Sequence, residues 1–162
     1  MRYPIQLERH VAIQRSLTPI DNPIAHLGTA FPRGKLPLLA RPVPAGFPSP
    51  ADDYVEGCIS LDDYLVQHKE ATFFLKVAGD SMRGLAIFDG DLLVVDRAQQ
   101  ATHESVVIAV LDNEFTVKQL LHTPTGYVLH AANPAYADIM IKPEQELTIW
   151  GVVRWAIHRV SI

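Results

Sequence analysis

The sequence predicts a mostly β protein: a compact domain of several curved antiparallel strands with one short helix, preceded by an extended, flexible N-terminal arm. Three observations carry this. Six runs rich in β-branched and aromatic residues follow residue 70: TFFLKV (72–77), DLLVVD (91–96), SVVIAVL (105–111), EFTVKQLL (114–121), YVLHAA (127–132) and LTIWGVVRWAIHRV (147–160). Turn chemistry separates them at Asp112-Asn113, Pro124-Thr125-Gly126 and Asn133-Pro134. Nine of the twelve prolines lie in residues 1–50, where they deny both helix and central strand.

Taken in order, residues 6–17 admit a short amphipathic turn of helix. The stretch PRGKLPLLARPVPAGFPSP (32–50) then reads as an extended or polyproline-like arm. From Ala51 the chain changes character. Ser60 with Asp63 resembles a capping box, followed by Leu61, Tyr64 and Leu65 at helical spacing, which predicts a helix over 61–68. The runs at 105–111 and 114–121 flank Asp112-Asn113, so they are expected to form a hairpin.

Composition bounds the function. A chain of 162 residues, 48% hydrophobic, holds one domain with an appendage and can build a core. Cys58 is the single cysteine, which excludes an intrachain disulfide framework and a cysteine-based zinc site and fits a reducing cytoplasm. The first residues lack the apolar core of a signal peptide, and no run of 18 apolar residues occurs, so neither secretion nor a membrane span is expected. No cofactor or metal is expected. The net charge of -4 conceals an asymmetry: residues 1–45 carry six Lys/Arg against two Asp/Glu, residues 46–162 eight against sixteen. The first part is basic and the rest acidic, so direct DNA binding is not expected of the body. The scattered arm charges read as a solvated tail.

The chemistry concentrates in KVAGDSMRGLAIFDGDLLVVD (76–96). Ser81 follows Gly79-Asp80 and has no histidine within ten residues. A serine at such an elbow can present its hydroxyl and offer neighbouring amides to an oxyanion, although the local sequence alone favours a turn serine. The five histidines of the body, at 68, 103, 122, 130 and 158, show no motif that marks a base. A desolvated lysine can serve instead. Lys118 lies inside the β-forming FTVKQLL (115–121), where spacing alone reads it as a solvated edge residue.

Together these motifs resemble the LexA/UmuD family of self-cleaving Ser-Lys peptidases. GDSM, then DGDLLVVD after six intervening residues, then EFTVKQL with its lysine 37 positions beyond the serine, carry the likeness. Its UmuD branch is nearer, through GFPSPADDYVE, QHKEATFFLKVAGDSM and the C-terminal WGVV. The likeness covers about residues 45–155 and implies a LexA-like C-terminal peptidase fold. It implies Ser81 as nucleophile, Lys118 as general base, and the backbone amides of Asp80 and Ser81 as oxyanion hole. It implies a substrate within the chain: the Ala45-Gly46 bond of PVPAGFPSP (42–50), so that 1–45 is the removed arm and 46–162 the peptidase and dimerisation domain. Small residues at the bond and flanking prolines suit an extended backbone lying close to a serine. The same resemblance implies a homodimer, a RecA filament on single-stranded DNA as trigger, and a UmuC-like Y-family polymerase subunit as partner of the truncated product.

The cut differs from the Cys-Gly usual in that branch, and the arm is longer than its usual one. Three other readings compete. A signal peptidase would need a membrane anchor. A LexA- or phage-type repressor would need a helix-turn-helix domain of about 60–70 residues before the cut, for which a proline-rich arm lacks room and pattern. A non-catalytic binding module would have no use for both Ser81 and Lys118.

Overall fold

The most apolar run of the chain, VVIAVL, forms a strand buried on both faces. In the computed structural model, which describes residues 32–39, 55–142 and 144–160, Val107 and Ala109 enter one core cluster and Ile108 the other. Two-sided burial explains why the run is continuous rather than alternating. The chain divides into two units, joined at Ser60 and Leu61.

The first unit contains an antiparallel pair, β1 (Leu36–Leu39) with β2 (Val55–Ile59). Leu36 lies opposite Ile59 and Leu38 opposite Gly57, with an irregularity after Leu38. This differs from the polyproline reading of 32–50. A ribbon of two strands has only edges, and an edge tolerates Pro37. The possible helical turn at 6–17 and the Ala45-Gly46 bond lie outside the described residues.

The second unit is one seven-stranded antiparallel sheet. Its strands are β3 (Thr72–Lys76), β4 (Leu92–Asp96), β5 (Val106–Leu111), β6 (Glu114–Thr123), β7 (Gly126–His130), β8 (Ile139–Met140) and β9 (Leu147–Ile157), in the order β3-β4-β9-β5-β6-β7-β8. Before them stands the expected helix, α1 (Leu61–Leu65), shorter than anticipated. Among the described residues no helix is long and apolar enough to cross a membrane. The six expected strands all form, within a few residues of the anticipated ends. The short strands β2 and β8 were not anticipated, because neither has an apolar run long enough to signal one.

The last strand organises the sheet. The Leu147–Val152 part of β9 pairs with β5, and the Val152–Ile157 part with β4. Two register shifts break its ladders, one skipping Trp150 and one skipping Arg154. The first lets Ile149 and Val152 join one core cluster while Trp150 and Val153 join the other. Bulges of this kind bend a strand and increase its twist. Gly151 sits between them because a Cβ there would lie 2.6 Å from Val95 Cγ1. The β5–β6 hairpin closes as expected, with Leu111 opposite Glu114 and positive φ at both Asp112 (50°) and Asn113 (68°). That pair of dihedrals is the twist-compatible two-residue turn.

Candidate active site

Ser81 stands on the loop between β3 and β4. Three features bend that loop and fix it. Gly79 takes φ 90°, a conformation that side chains disfavour. Met82, 1% exposed, plugs into the core directly after the serine. The Asp89-Gly90-Asp91 turn then ties the loop back on itself. Asp89 Oδ1 accepts the Gly79 N–H at 2.7 Å, the Gly90 N–H donates to the Val77 carbonyl at 3.0 Å, and the Val77 N–H to that of Asp91 at 2.9 Å. Asp91 is buried; its carboxylate accepts the Phe88 N–H at 2.8 Å and meets His158 Nδ1 at 2.8 Å. Burial alone would raise the Asp91 pKa, but the Phe88 N–H and His158 outweigh it and hold the carboxyl below its ordinary value.

Lys118 comes from the middle of β6, opposite Val107. The solvated edge position suggested by spacing is not what the fold provides, for Lys118 is only 8% exposed. Its Nζ lies 2.9 Å from Ser81 Oγ, 3.2 Å from Thr116 Oγ1 and 3.0 Å from the Val117 carbonyl oxygen. Desolvation by burial pushes its pKa down. Among the described residues no carboxylate forms an ion pair with it.

The two side chains share a groove of about 440 Å³ whose walls include Leu75, Val77, Ile108, Val117 and Trp150. This apolar lining is what excludes water from the amine. Among the described residues no histidine lines the groove. Three of the body's histidines pair with aspartates instead: His68 with Asp96, His130 with Asp138 and His158 with Asp91. Among the described residues no cluster of His, Cys, Asp or Glu could hold a metal ion. Cys58 is exposed on β2, in the other unit.

Around Ser81 the backbone is held from the segment after β7. The Asp80 carbonyl accepts Asn133 Nδ2 at 3.0 Å and the Arg83 N–H at 3.1 Å, and the Asp80 carboxylate accepts the Tyr136 hydroxyl at 2.6 Å. Among the described residues the amide N–H groups of Asp80 and Ser81 donate to no protein group. The sequence brought Ser81, Lys118 and Asp80 to notice but not Thr116, Asn133 or Tyr136. The one trace was Asn133-Pro134, which read only as a turn, and Tyr136 left none.

The chain matches the Peptidase S24-like family over residues 37–154. It is 43% identical to Protein ImpA of Salmonella typhimurium over 76% of this chain and 83% of that protein. It is 46% identical to Protein SamA of the same organism, over 76% and 85%. The LexA repressor of Verminephrobacter eiseniae is 39% identical over 78% of this chain but only 56% of its own length. Fold, motifs and relatives agree: the chain belongs to the Peptidase S24-like family, as a UmuD-like, self-cleaving serine peptidase of the SOS response.

Proposed function

We propose that Ser81 and Lys118 form the nucleophile–base pair of this peptidase and that its substrate is the Ala45-Gly46 bond of its own chain. The observation that carries this is the 2.9 Å approach of a buried amine to a serine hydroxyl. A neutral amine has two N–H bonds and one lone pair. The Val117 carbonyl and Thr116 hydroxyl can take the two N–H bonds, which leaves the lone pair for the Ser81 proton. The Ala45-Gly46 bond falls in the connection 40–54 between the paired strands β1 and β2.

In the reaction Lys118 Nζ accepts the Ser81 proton as Oγ attacks the Ala45 carbonyl carbon. The oxygen turned anionic is received by the amides of Asp80 and Ser81. The resulting ammonium gives its proton to the Gly46 nitrogen, the C–N bond breaks, and an ester joins Ala45 to Ser81. A water then attacks the ester carbonyl as it yields a proton to Lys118. That proton passes to Ser81 Oγ as the Oγ–C bond breaks, releasing Ala45 as its carboxylic acid, which ionises to the carboxylate. Tethering gives the bond a high effective concentration. An arm lying over the groove further desolvates Lys118, so docking and activation are one event.

The remaining assignments extend this reading. Residues 1–45 are the removed arm. Docking is promoted by a RecA filament on single-stranded DNA in the cytoplasm, and the truncated homodimer serves a UmuC-like Y-family polymerase. The dimer has structural support, because the β5 ladder stops at Val152 and, among the described residues, the Val153–Ile157 part of β9 has a strand on one side only. The deciding experiment is incubation of the pure chain at about pH 10 without any partner, followed by mass spectrometry. A new N-terminus at Gly46 is expected; a different cut, or a rate that does not change with pH, refutes the assignment.

A further inference from the structure

The segment after β7 reaches Asp80 and Gly84, on either side of Ser81. The Gly84 N–H donates to the Ala132 carbonyl at 2.6 Å, and a Cβ on Gly84 would overlap that oxygen. On the other side Asn133 Nδ2 donates to the Asp80 carbonyl at 3.0 Å and lies 3.3 Å from Oδ2, while the Tyr136 hydroxyl donates to Oδ1 at 2.6 Å. The segment is itself fixed. Asn133 Oδ1 accepts the Ala135 N–H at 3.1 Å, the Asn133 carbonyl accepts the Tyr136 N–H at 3.0 Å, and Asp138 accepts the Ala131 N–H at 3.1 Å.

We infer that Tyr136 and Asn133 are positioning residues for the cleavage step, holding Asp80 so that the N–H groups of Asp80 and Ser81 face the developing oxyanion and its own carboxylate does not oppose it. The inference rests on Ser81 being the nucleophile. The electrostatic difficulty is plain: a carboxylate adjoins the place where negative charge must accumulate. Two donors engage its two oxygens, and donors aimed at a carboxylate draw its charge toward themselves. One of them also holds the Asp80 carbonyl, which fixes the peptide plane that contains the Ser81 N–H. Tyr136 lines both the groove containing Lys118 and Lys76 and a second cavity lined by His130 and Asp138; with Asp80, these are the charged and titratable groups of those walls among the described residues. Hydrogen bonding to the Asp80 carboxylate raises the Tyr136 pKa, which favours the protonated, donating phenol.

The test uses the full chain and its first-order self-cleavage rate across pH 7–10.5, with thermal melts of every variant. Removing an oxyanion donor outright costs about 10²–10³ in rate. A group that acts one bond further away should cost less, so Tyr136→Phe is expected to slow cleavage about tenfold, with the melting temperature within about 2 °C of the parent. The pH at which the rate rises should not move, since that reports Lys118. In an Asp80→Asn background, where no charge needs offsetting, the loss from Tyr136→Phe should shrink below about twofold. Asn133→Ala should slow cleavage comparably, with part of its loss persisting beside Asp80→Asn because it also frees the Asp80 carbonyl. Its rate decides the matter if Tyr136→Phe melts early. A Tyr136→Phe chain that cleaves at the parent rate, or a tenfold loss that persists beside Asp80→Asn, overturns the inference. Ser81→Ala and Lys118→Arg run alongside. If either still cuts, the nucleophile–base reading has failed; if both are inert while Tyr136→Phe is unaffected, the positioning role alone has failed.

Discussion

At the scale of single residues, the site is built on a lysine made to resist its charge. Burial lowers the Lys118 pKa, so the neutral fraction grows as pH rises toward the ordinary lysine range near ~10.4. Self-cleavage should rise over the same interval. Ser81→Ala should reduce it at least about a thousandfold, and Lys118→Arg comparably, because a guanidinium stays charged. Gel densitometry over time measures both. The same depressed pKa has a consequence for stability. At neutral pH the unfolded chain carries this lysine charged, while the native burial disfavours that charge, so the native state bears a penalty that fades above ~10.4. Lys118→Met should therefore raise the melting temperature at pH 7 and raise it less at pH 11. A lower melting temperature at pH 7 would mean that the amine's three hydrogen-bonding contacts outweigh its desolvation.

At the scale of elements, β4 is fastened at both ends by buried carboxylates. Asp91 at its start meets His158 beyond β9, and Asp96 at its end meets His68 before β3. For each, burial pushes the pKa up, but hydrogen bonds outweigh it: Phe88 N–H and His158 for Asp91, His68 and Ala98 N–H for Asp96. Their native pKa values thus lie below the unfolded ones. The stability they contribute is present above about pH 4 and lost as pH falls through the lowered native values. Asp91→Asn should flatten the fall of melting temperature between pH 4 and 2, while costing about 2 kcal/mol at pH 7; an unchanged acid limb would remove Asp91 from this role. The β5–β6 turn offers a second check. Asn113 holds φ 68°, which glycine adopts with less strain. Asn113→Gly should stabilise the hairpin by about 0.5–1 kcal/mol in urea denaturation.

At the scale of the molecule, cleavage would separate charges as well as chain. The arm carries six Lys/Arg against two Asp/Glu, and its loss leaves a body with eight against sixteen. The product should migrate as a markedly more acidic species on isoelectric focusing. Sedimentation should show two copies per particle, and charged substitutions on the open edge of Val153–Ile157 should weaken that association. Retention of the dimer in such variants would redirect attention to another face.

The sequence by itself determined the six longer strands of the sheet, the hairpin at Asp112-Asn113 and the family, and it singled out Ser81 and Lys118 as candidates, because each rests on local periodicity, turn chemistry or motif spacing. Lys118 illustrates where that reach ends. Its alternation in FTVKQLL is that of a solvated strand lysine, and only the covering of β6 by the Ser81 loop removes it from water. The same holds for β9, whose bulges at Trp150 and Arg154 arise from serving two neighbours at once. It holds too for Asn133 and Tyr136, 53 and 56 residues from the aspartate they hold. Burial and long-range hydrogen bonds depend on which segments the sheet brings together, and no window of sequence contains both partners.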